Sequence, residues 1–359
     1  MKPFADKDKQ IEILDGRKLG FQNKENAKKL LMRYGYYEVV NGYKTFLLKE
    51  NSNTEEYKDG ETFEHLIALY ELDKDIRNGV MKASLEIESS LRTAIAYTLA
   101  EDFGVHQRDY LHYRNFRQGD SIWGNGSPTN ERAILLNKLN ALTNKNIEPF
   151  NHYRSHHGHI PPWILLKETT FGNLKHLFKL LKGPQKDKVI AICYGIEISE
   201  VTDDKKSLFK DSLAVINSFR NRAAHSGRIF NYKSNLHVLQ FNQDFHSEIG
   251  ITEAKYRNGL GKSDLYTLSK LLSRFENVIA KITLDFYVTY SIDKHCKLYP
   301  DDLLLLSKEM NFPIDELKYN QKIKKSPHFQ PTKAEVQGKS CIVKTCFAVG
   351  LFTIPILTK

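Results

Sequence analysis

Apolar residues recur at intervals of three and four along much of this chain, the period of a helix that buries one face. From Phe63 to about Glu101 the positions Leu66, Tyr70, Val80, Ile87, Leu91, Ile95 and Thr98 mostly keep that spacing, which predicts one long helix or two joined near Gly79. A second periodic run covers 206–226, where Leu208, Ser212, Val215 or Ile216, Phe219 and Ala223 share a face and Gly227 stands where a C-terminal cap is expected. Further helices are predicted over Phe171 to Leu181 and from Leu265 to about Tyr290. No alternating apolar and polar stretch of comparable length competes, so the fold class is read as mainly α.

Between Trp123 and Pro162 the pattern breaks. The segments GNGSPTN at 124–130 and PFNHYRSHHGHIPPW at 149–163 carry turn residues, and a loop-rich insertion is expected near 120–163. The chain therefore divides into an N-terminal helical, aromatic and basic segment (1–60), a main helical domain (61–295) and a C-terminal helix with a tail (296–359). That tail is basic through Lys322, Lys324 and Lys325 and then apolar. Lys344 interrupts its apolar part and Pro355 ends it, leaving less than a bilayer-spanning helix needs, so no membrane partner is expected.

Charge changes the picture more than composition does. Lys and Arg number 53 against 43 Asp and Glu, a formal +10, which favours a polyanionic partner. The four cysteines, at 193, 296, 341 and 346, form no CxxC pair, and the opening MKPFADKDKQ lacks the apolar core of a signal peptide. A reducing cytoplasm is the expected compartment.

Some of the cations stand among aromatic rings. Residues 24–49 read as a helix and then an aromatic stretch in which Lys28, Lys29, Arg33, Lys44 and Lys49 interleave with Tyr34, Tyr36, Tyr37, Tyr43 and Phe46. Rings beside cations grip single-stranded RNA. The same pattern also describes an amphipathic core with solvated lysines. On the long helix, Asp73 precedes Arg77 by four residues and Glu88 precedes Arg92 by four, and the eleven residues from Arg77 to Glu88 are almost three turns, so both pairs lie along one side. Solvated, such pairs contribute only ~0.3–0.5 kcal/mol each. Buried, they could position an active-site residue. The histidines at 152, 156, 157 and 159 have no cysteine or carboxylate at a familiar ligand spacing, so no metal site is predicted there.

The residues suited to chemistry close the 206–226 helix: Phe219-Arg220-Asn221-Arg222-Ala223-Ala224-His225-Ser226-Gly227-Arg228. At 100° per residue, Asn221 and His225 lie about 40° apart, and Arg220 and His225 about 140° apart. His225 could take the proton of an RNA 2′-hydroxyl or deliver one to the leaving 5′-oxygen, Arg220 could stabilise the charged phosphorane, and Asn221 could orient the imidazole. That chemistry needs no metal or other cofactor. A helix end decorated with cations fits the spacing equally well.

The string R-N-x-x-x-H at the end of a core helix resembles the R-x4–6-H signature of HEPN ribonucleases. Further stretches agree: YGYYEVVNGY at 34–43, YELDKDIR at 70–77, EIESSLR at 86–92, Pro162-Trp163-Ile164 through Phe171-Gly172, Arg220 to Asn231, and MNFP at 310–313. In this order, across residues 28 to about 317, they are similar to the Abi-like family of abortive-infection proteins, AbiD and AbiF. The resemblance implies a HEPN-type helical bundle with an N-terminal helical extension, and kinship with the nuclease halves of RNA-guided CRISPR effectors. It implies an endoribonuclease in anti-phage defence or a toxin–antitoxin pair, with RNA as substrate and a structured noncoding RNA as a possible antitoxin or regulator.

Carried onto this chain, the family pattern puts Arg220 and His225 in catalysis with Asn221 in support. Candidate RNA contacts are Lys28, Lys29, Arg33, Tyr36, Tyr37, Lys44, Arg222, Arg228 and Asn231, and Arg77, Glu88 and Arg92 are candidate supporting residues. HEPN nucleases join two motifs in one composite site, and this chain has a single convincing one, so a homodimer is expected. The competing expectations are a non-catalytic HEPN protein that holds a structured RNA and, last, a DNA-binding helix-turn-helix without a recognisable recognition helix.

Overall fold

A computed structural model describes residues 4–50, 55–124 and 127–317. As the sequence predicts, the molecule is a mainly helical bundle. The longer helices are α1 (Lys7–Gly16), α2 (Lys24–Tyr34), α3 (Phe63–Phe103), α4 (Glu131–Thr143), α5 (Phe150–His157), α6 (Phe171–Leu180), α7 (Gly183–Tyr194), α8 (Asp203–Ala224), α9 (Leu265–Leu272), α10 (Val278–Cys296) and α11 (Asp302–Met310). A two-stranded antiparallel hairpin, β1 (Ser121–Gly124) with β2 (Ser127–Asn130), pairs Ser121 with Asn130 and Trp123 with Pro128.

Helix α3 is the axis of the bundle. Thr62 starts it by accepting a hydrogen bond from the His65 amide, as N-cap hydroxyls do. Its buried side chains leave on several sides, Leu66, Leu69, Ile76, Val80, Ile87, Leu91, Ala94 and Leu99 among them, because α6, α7, α8 and α10 all pack against it. A helix apolar on several faces is one that neighbours surround. Of the two sequence alternatives the unbroken helix is found. Gly79 marks a close approach: a Cβ there would sit 2.5 Å from Cβ of Tyr287, on the antiparallel α10.

Two expectations need correction. The single helix expected from Leu265 to Tyr290 is two helices, with a break at 273–277. Asn277 starts α10, its side chain accepting from the Ile279 amide at 3.2 Å and donating to Glu86 Oε2 at 3.1 Å and Ser90 Oγ at 3.3 Å on α3. The register of α10 on α3 is thus set at the point where apolar periodicity alone runs on. The insertion near 120–163 is also less irregular than its glycines and prolines suggest. Asn130 caps α4 by accepting from the Ala133 amide, and α4 buries Leu135, Leu136 and Leu139.

The N-terminal helices join the same core, since Ile11, Leu14, Leu31, Val39 and Tyr43 are contiguous with Leu91 and Leu306. Tyr43 is buried and Tyr37 exposed, so the aromatic stretch is part core and part surface. Cys193 and Cys296 are unpaired thiols. Cys341, Cys346 and the rest of the tail after Leu317 lie outside the described residues. Among the described residues no helix is long and apolar enough to cross a membrane.

Gly79→Val should lower stability by about 1–3 kcal/mol, the usual cost of overpacking a filled core. Urea unfolding followed by circular dichroism measures the loss, and an unchanged midpoint would show that α10 can move away from α3.

Candidate active site

Helix α8 brings the arginine and histidine motif to the surface. Thr202 caps its start by accepting from the Lys205 amide, and Leu208, Phe209, Ser212, Leu213, Val215, Ile216, Phe219 and Ala223 are buried along it. Its end differs from the expected one by two residues. The helix stops at Ala224, His225 is the capping residue with φ −94°, and Ser226 takes the left-handed conformation at φ 58°. The Ser226 amide donates to Ala223 O at 3.1 Å and the Gly227 amide to Arg222 O at 2.9 Å. These two reversed bonds complete a helix C-terminus of the kind that normally has glycine in the left-handed place. Here Gly227 follows that place, and the exposed Arg222 side chain lies close against it, where a Cβ would displace the end of that side chain.

A serine held left-handed costs of order 1–3 kcal/mol and persists only where its surroundings fix it. They do so through α3. Asp73 is fully buried, and its Oδ1 accepts from the Ile229 amide at 2.8 Å and the Phe230 amide at 2.7 Å. Its Oδ2 accepts from the Tyr43 hydroxyl at 2.8 Å and from Arg77 Nη1 at 2.8 Å. The same Nη1 donates to Ser226 O at 3.2 Å. Burial pushes the Asp73 carboxyl up, against the pull of Arg77, the two amides and Tyr43. The two amides and the guanidinium can only donate, so the form they hold is the carboxylate. Burial, with the Asp73 charge beside it, pushes the Tyr43 hydroxyl far above its ordinary value, so it remains a neutral donor.

The structure brings Arg220, Asn221 and His225 to one helix end without joining them. Asn221 and His225 are exposed and Arg220 is half-buried. The nearest link is long, Arg220 Nη1 to Asn221 Oδ1 at 3.5 Å. Arg220 Nε is buried without a hydrogen-bond partner, and the His225 ring has no partner among the described residues. None of Arg220, Arg222 and Arg228 is paired with a carboxylate among the described residues, which leaves this end of the helix positive.

The other candidates divide between paired and free groups. Arg228 donates to Gly42 O and lies over Phe46 and Phe230, at 5.3 and 5.9 Å from the ring centres, so it ties the aromatic stretch to the turn after α8. Arg222 donates to Arg228 O at 3.3 Å and stacks over Tyr232. The Asn231 amide is engaged with Glu309 Oε2 at 3.0 Å. Lys28 is paired with Asp8 and Glu25, and Lys44 with Glu55. Lys29, Arg33 and Tyr37 are exposed, and Tyr36 is half-buried.

Of the supporting residues, only Arg77 reaches the motif. Arg92 binds Glu88 at 2.6 Å and Leu166 O at 3.0 Å, and Glu88 stands eleven residues, roughly 16 Å of helix, from Arg77. Sequence reasoning noticed the spacing of Asp73 and Arg77 but gave Asp73 no role. A carboxylate amid apolar residues of a core helix was the available signal. On α5, His152 and His156 stack on one another at 4.4 Å.

Asp73→Ala should cost about 3–5 kcal/mol, because it leaves the Arg77 charge buried and unpaired, along with two orphaned amides. Chemical denaturation gives the total, and hydrogen exchange should locate the loss at Ile229 and Phe230. Unchanged protection of those two amides would rule out the clamp.

No curated protein and no solved structure matches the chain significantly. The family model described as Abi-like protein matches residues 29–231, more than half of the chain, from α2 through the turn that Asp73 holds. The chain therefore belongs to the Abi-like protein family, whose name points to abortive infection as a form of defence.

Proposed function

We propose that this protein is an abortive-infection endoribonuclease of the HEPN type that cleaves RNA without a catalytic metal. The observation that carries the reading is the exposed His225 imidazole, at the same helix end as the Arg220 guanidinium, the one without an internal partner and the other without a neutralising carboxylate among the described residues. Cations that serve only the fold are usually satisfied, as Arg77 and Arg92 are here.

The reaction is an internal transesterification. A neutral imidazole removes the proton of the 2′-hydroxyl, the 2′-oxygen attacks the adjacent phosphorus, and the bond to the 5′-oxygen breaks as that oxygen takes up a proton. The products are a 2′,3′-cyclic phosphate and a 5′-hydroxyl. Arg220 offsets the charge gathered on the non-bridging oxygens, and Asn221 orients substrate or imidazole. One chain offers one such imidazole. A homodimer that faces two α8 ends across one phosphate supplies both the base and the acid.

Lys29, Arg33 and Tyr37 are the exposed members of the N-terminal set for holding the strand, and Arg228 serves by fixing that segment to the motif. A structured noncoding RNA bound to the same positive surface would restrain the enzyme until infection.

Wild-type protein incubated with total RNA and no added divalent ion should produce fragments ending in 2′,3′-cyclic phosphate. His225→Ala should reduce the rate by about 10²–10⁴-fold with an unchanged circular dichroism spectrum, because the ring is exposed. Equal cleavage by both proteins would refute the assignment. Absence of cleavage by either, with RNA co-purifying, would favour a non-catalytic RNA-holding protein.

A further inference from the structure

A second group of titratable side chains lies where the start of α3, the end of α10 and the start of α11 meet, and the proposed chemistry makes no use of it. Nε2 of His65 and Nε2 of His295 each stand 2.7 Å from the same oxygen, Oδ2 of Asp302. Nδ1 of His65 is 2.7 Å from Glu61 Oε2, and its ring stacks on Tyr299 with centres 3.8 Å apart and planes 2° from parallel. His295 is only 3% exposed, and its Nδ1 is buried without a hydrogen-bond partner among the described residues. One donor atom from each of His65, His295 and Asp302 falls within 4.8 Å of the others.

We propose that His65, His295 and Asp302 bind a divalent transition-metal ion, zinc being the best chemical match, as a structural clip between α3, α10 and α11. The ring of His65 faces a carboxylate at each nitrogen. Without a metal it can satisfy both only by carrying two protons. With an ion in place of the Nε2 proton, the neutral ring still donates Nδ1–H to Glu61, the way a carboxylate fixes the tautomer of a metal-bound imidazole.

Charge points the same way. With both imidazoles neutral in the metal-bound form, the divalent ion itself offsets the charges of Glu61 and Asp302 in a largely buried seam, where their side chains are 18% and 13% exposed. Two nitrogens and one oxygen suit zinc, whereas magnesium and calcium favour oxygen alone. Donors about 2.0–2.2 Å from a common ion in a tetrahedral site stand about 3.3–3.6 Å apart, so Asp302 must draw back by about 0.6–0.9 Å from its hydrogen-bonded position. Its side chain is in the first turn of α11, at the edge of the seam, where that movement displaces little. Water or a further donor completes the coordination.

The clip would join residues 237 positions apart. It stabilises the fold and takes no part in cleavage, so its test needs no activity readout.

The test uses the full chain freed of any affinity tag and stripped with a chelator. Zinc is titrated back, and bound metal is counted by mass spectrometry after dialysis while the melting temperature is followed. The expected result is one zinc per chain and a rise in melting temperature that saturates at that ratio. Asp302→Asn keeps the size and a hydrogen-bond acceptor, and should lose stoichiometric zinc. Cobalt in place of zinc should give visible ligand-field bands in wild type that weaken or shift in Asp302→Asn. The exposed rings of α5 are an alternative landing place, and His156→Gln should leave the stoichiometry unchanged.

Zinc content below about a tenth per chain with an unmoved melting curve would overturn the proposal and leave a hydrogen-bonded staple. Zinc retained by Asp302→Asn but lost from His156→Gln would overturn it equally.

Discussion

The carboxylate of Asp73 is fully buried, and a charge taken out of water in that way costs several kcal/mol unless its surroundings replace the lost solvent. Four hydrogen bonds of 2.7–2.8 Å do so here. They come from three regions: the aromatic stretch through Tyr43, helix α3 through Arg77, and the turn after α8 through Ile229 and Phe230. Oδ1 holds the turn and Oδ2 holds both Tyr43 and Arg77, so no region can shift relative to Asp73 without leaving a donor and part of the carboxylate unsatisfied. The position of α8's end relative to α3 is therefore a condition for burying Asp73 at all, and the exposed motif inherits that rigidity.

The arrangement also accounts for the backbone after the motif. Ser226 sits in a conformation that glycine would adopt at less cost, while the glycine beside it lies against the Arg222 side chain. Arg77 holds the Ser226 carbonyl, and two amides beyond it are held by Asp73. His225 stands between a helix on one side and this fixed turn on the other. Its backbone is constrained while its ring is free, the combination a proton carrier needs if its partner is to be a substrate.

Periodicity made α3 and α8 legible, because their buried faces repeat every three to four residues. It could not separate α9 from α10, since Phe275 is buried inside the break and continues the apolar pattern. Nor did it find α4, whose three buried leucines lie behind a turn-rich segment. The spacing of Asp73 and Arg77 was visible, but their remaining partners lie 30 to 157 positions away and leave no local mark. Charge counting fell short for the same reason. Lys28 and Lys29 are adjacent and alike in sequence, yet only Lys28 is paired, with Asp8 and Glu25. The clip residues His65, His295 and Asp302 carry no sequence signal, because their spacing follows no short pattern.

The family match stops short of the C-terminal helices. Residues 29–231 contain Tyr43, Asp73, Arg77, the whole motif and the amides of Ile229 and Phe230, so the clamp and the motif beside it fall inside one continuous match. His295 and Asp302 fall outside it, as does α10, although α10 packs along α3 through Gly79 and fixes its register with Asn277. The C-terminal part thus packs over the face of α3 that carries Asp75, Gly79, Lys82, Glu86 and Ser90. A clip joining the start of α3 to the far ends of α10 and α11 would stiffen that cover where the clamp does not reach. The clamp positions the motif from one side of α3, and the C-terminal helices keep α3 itself in place from the other.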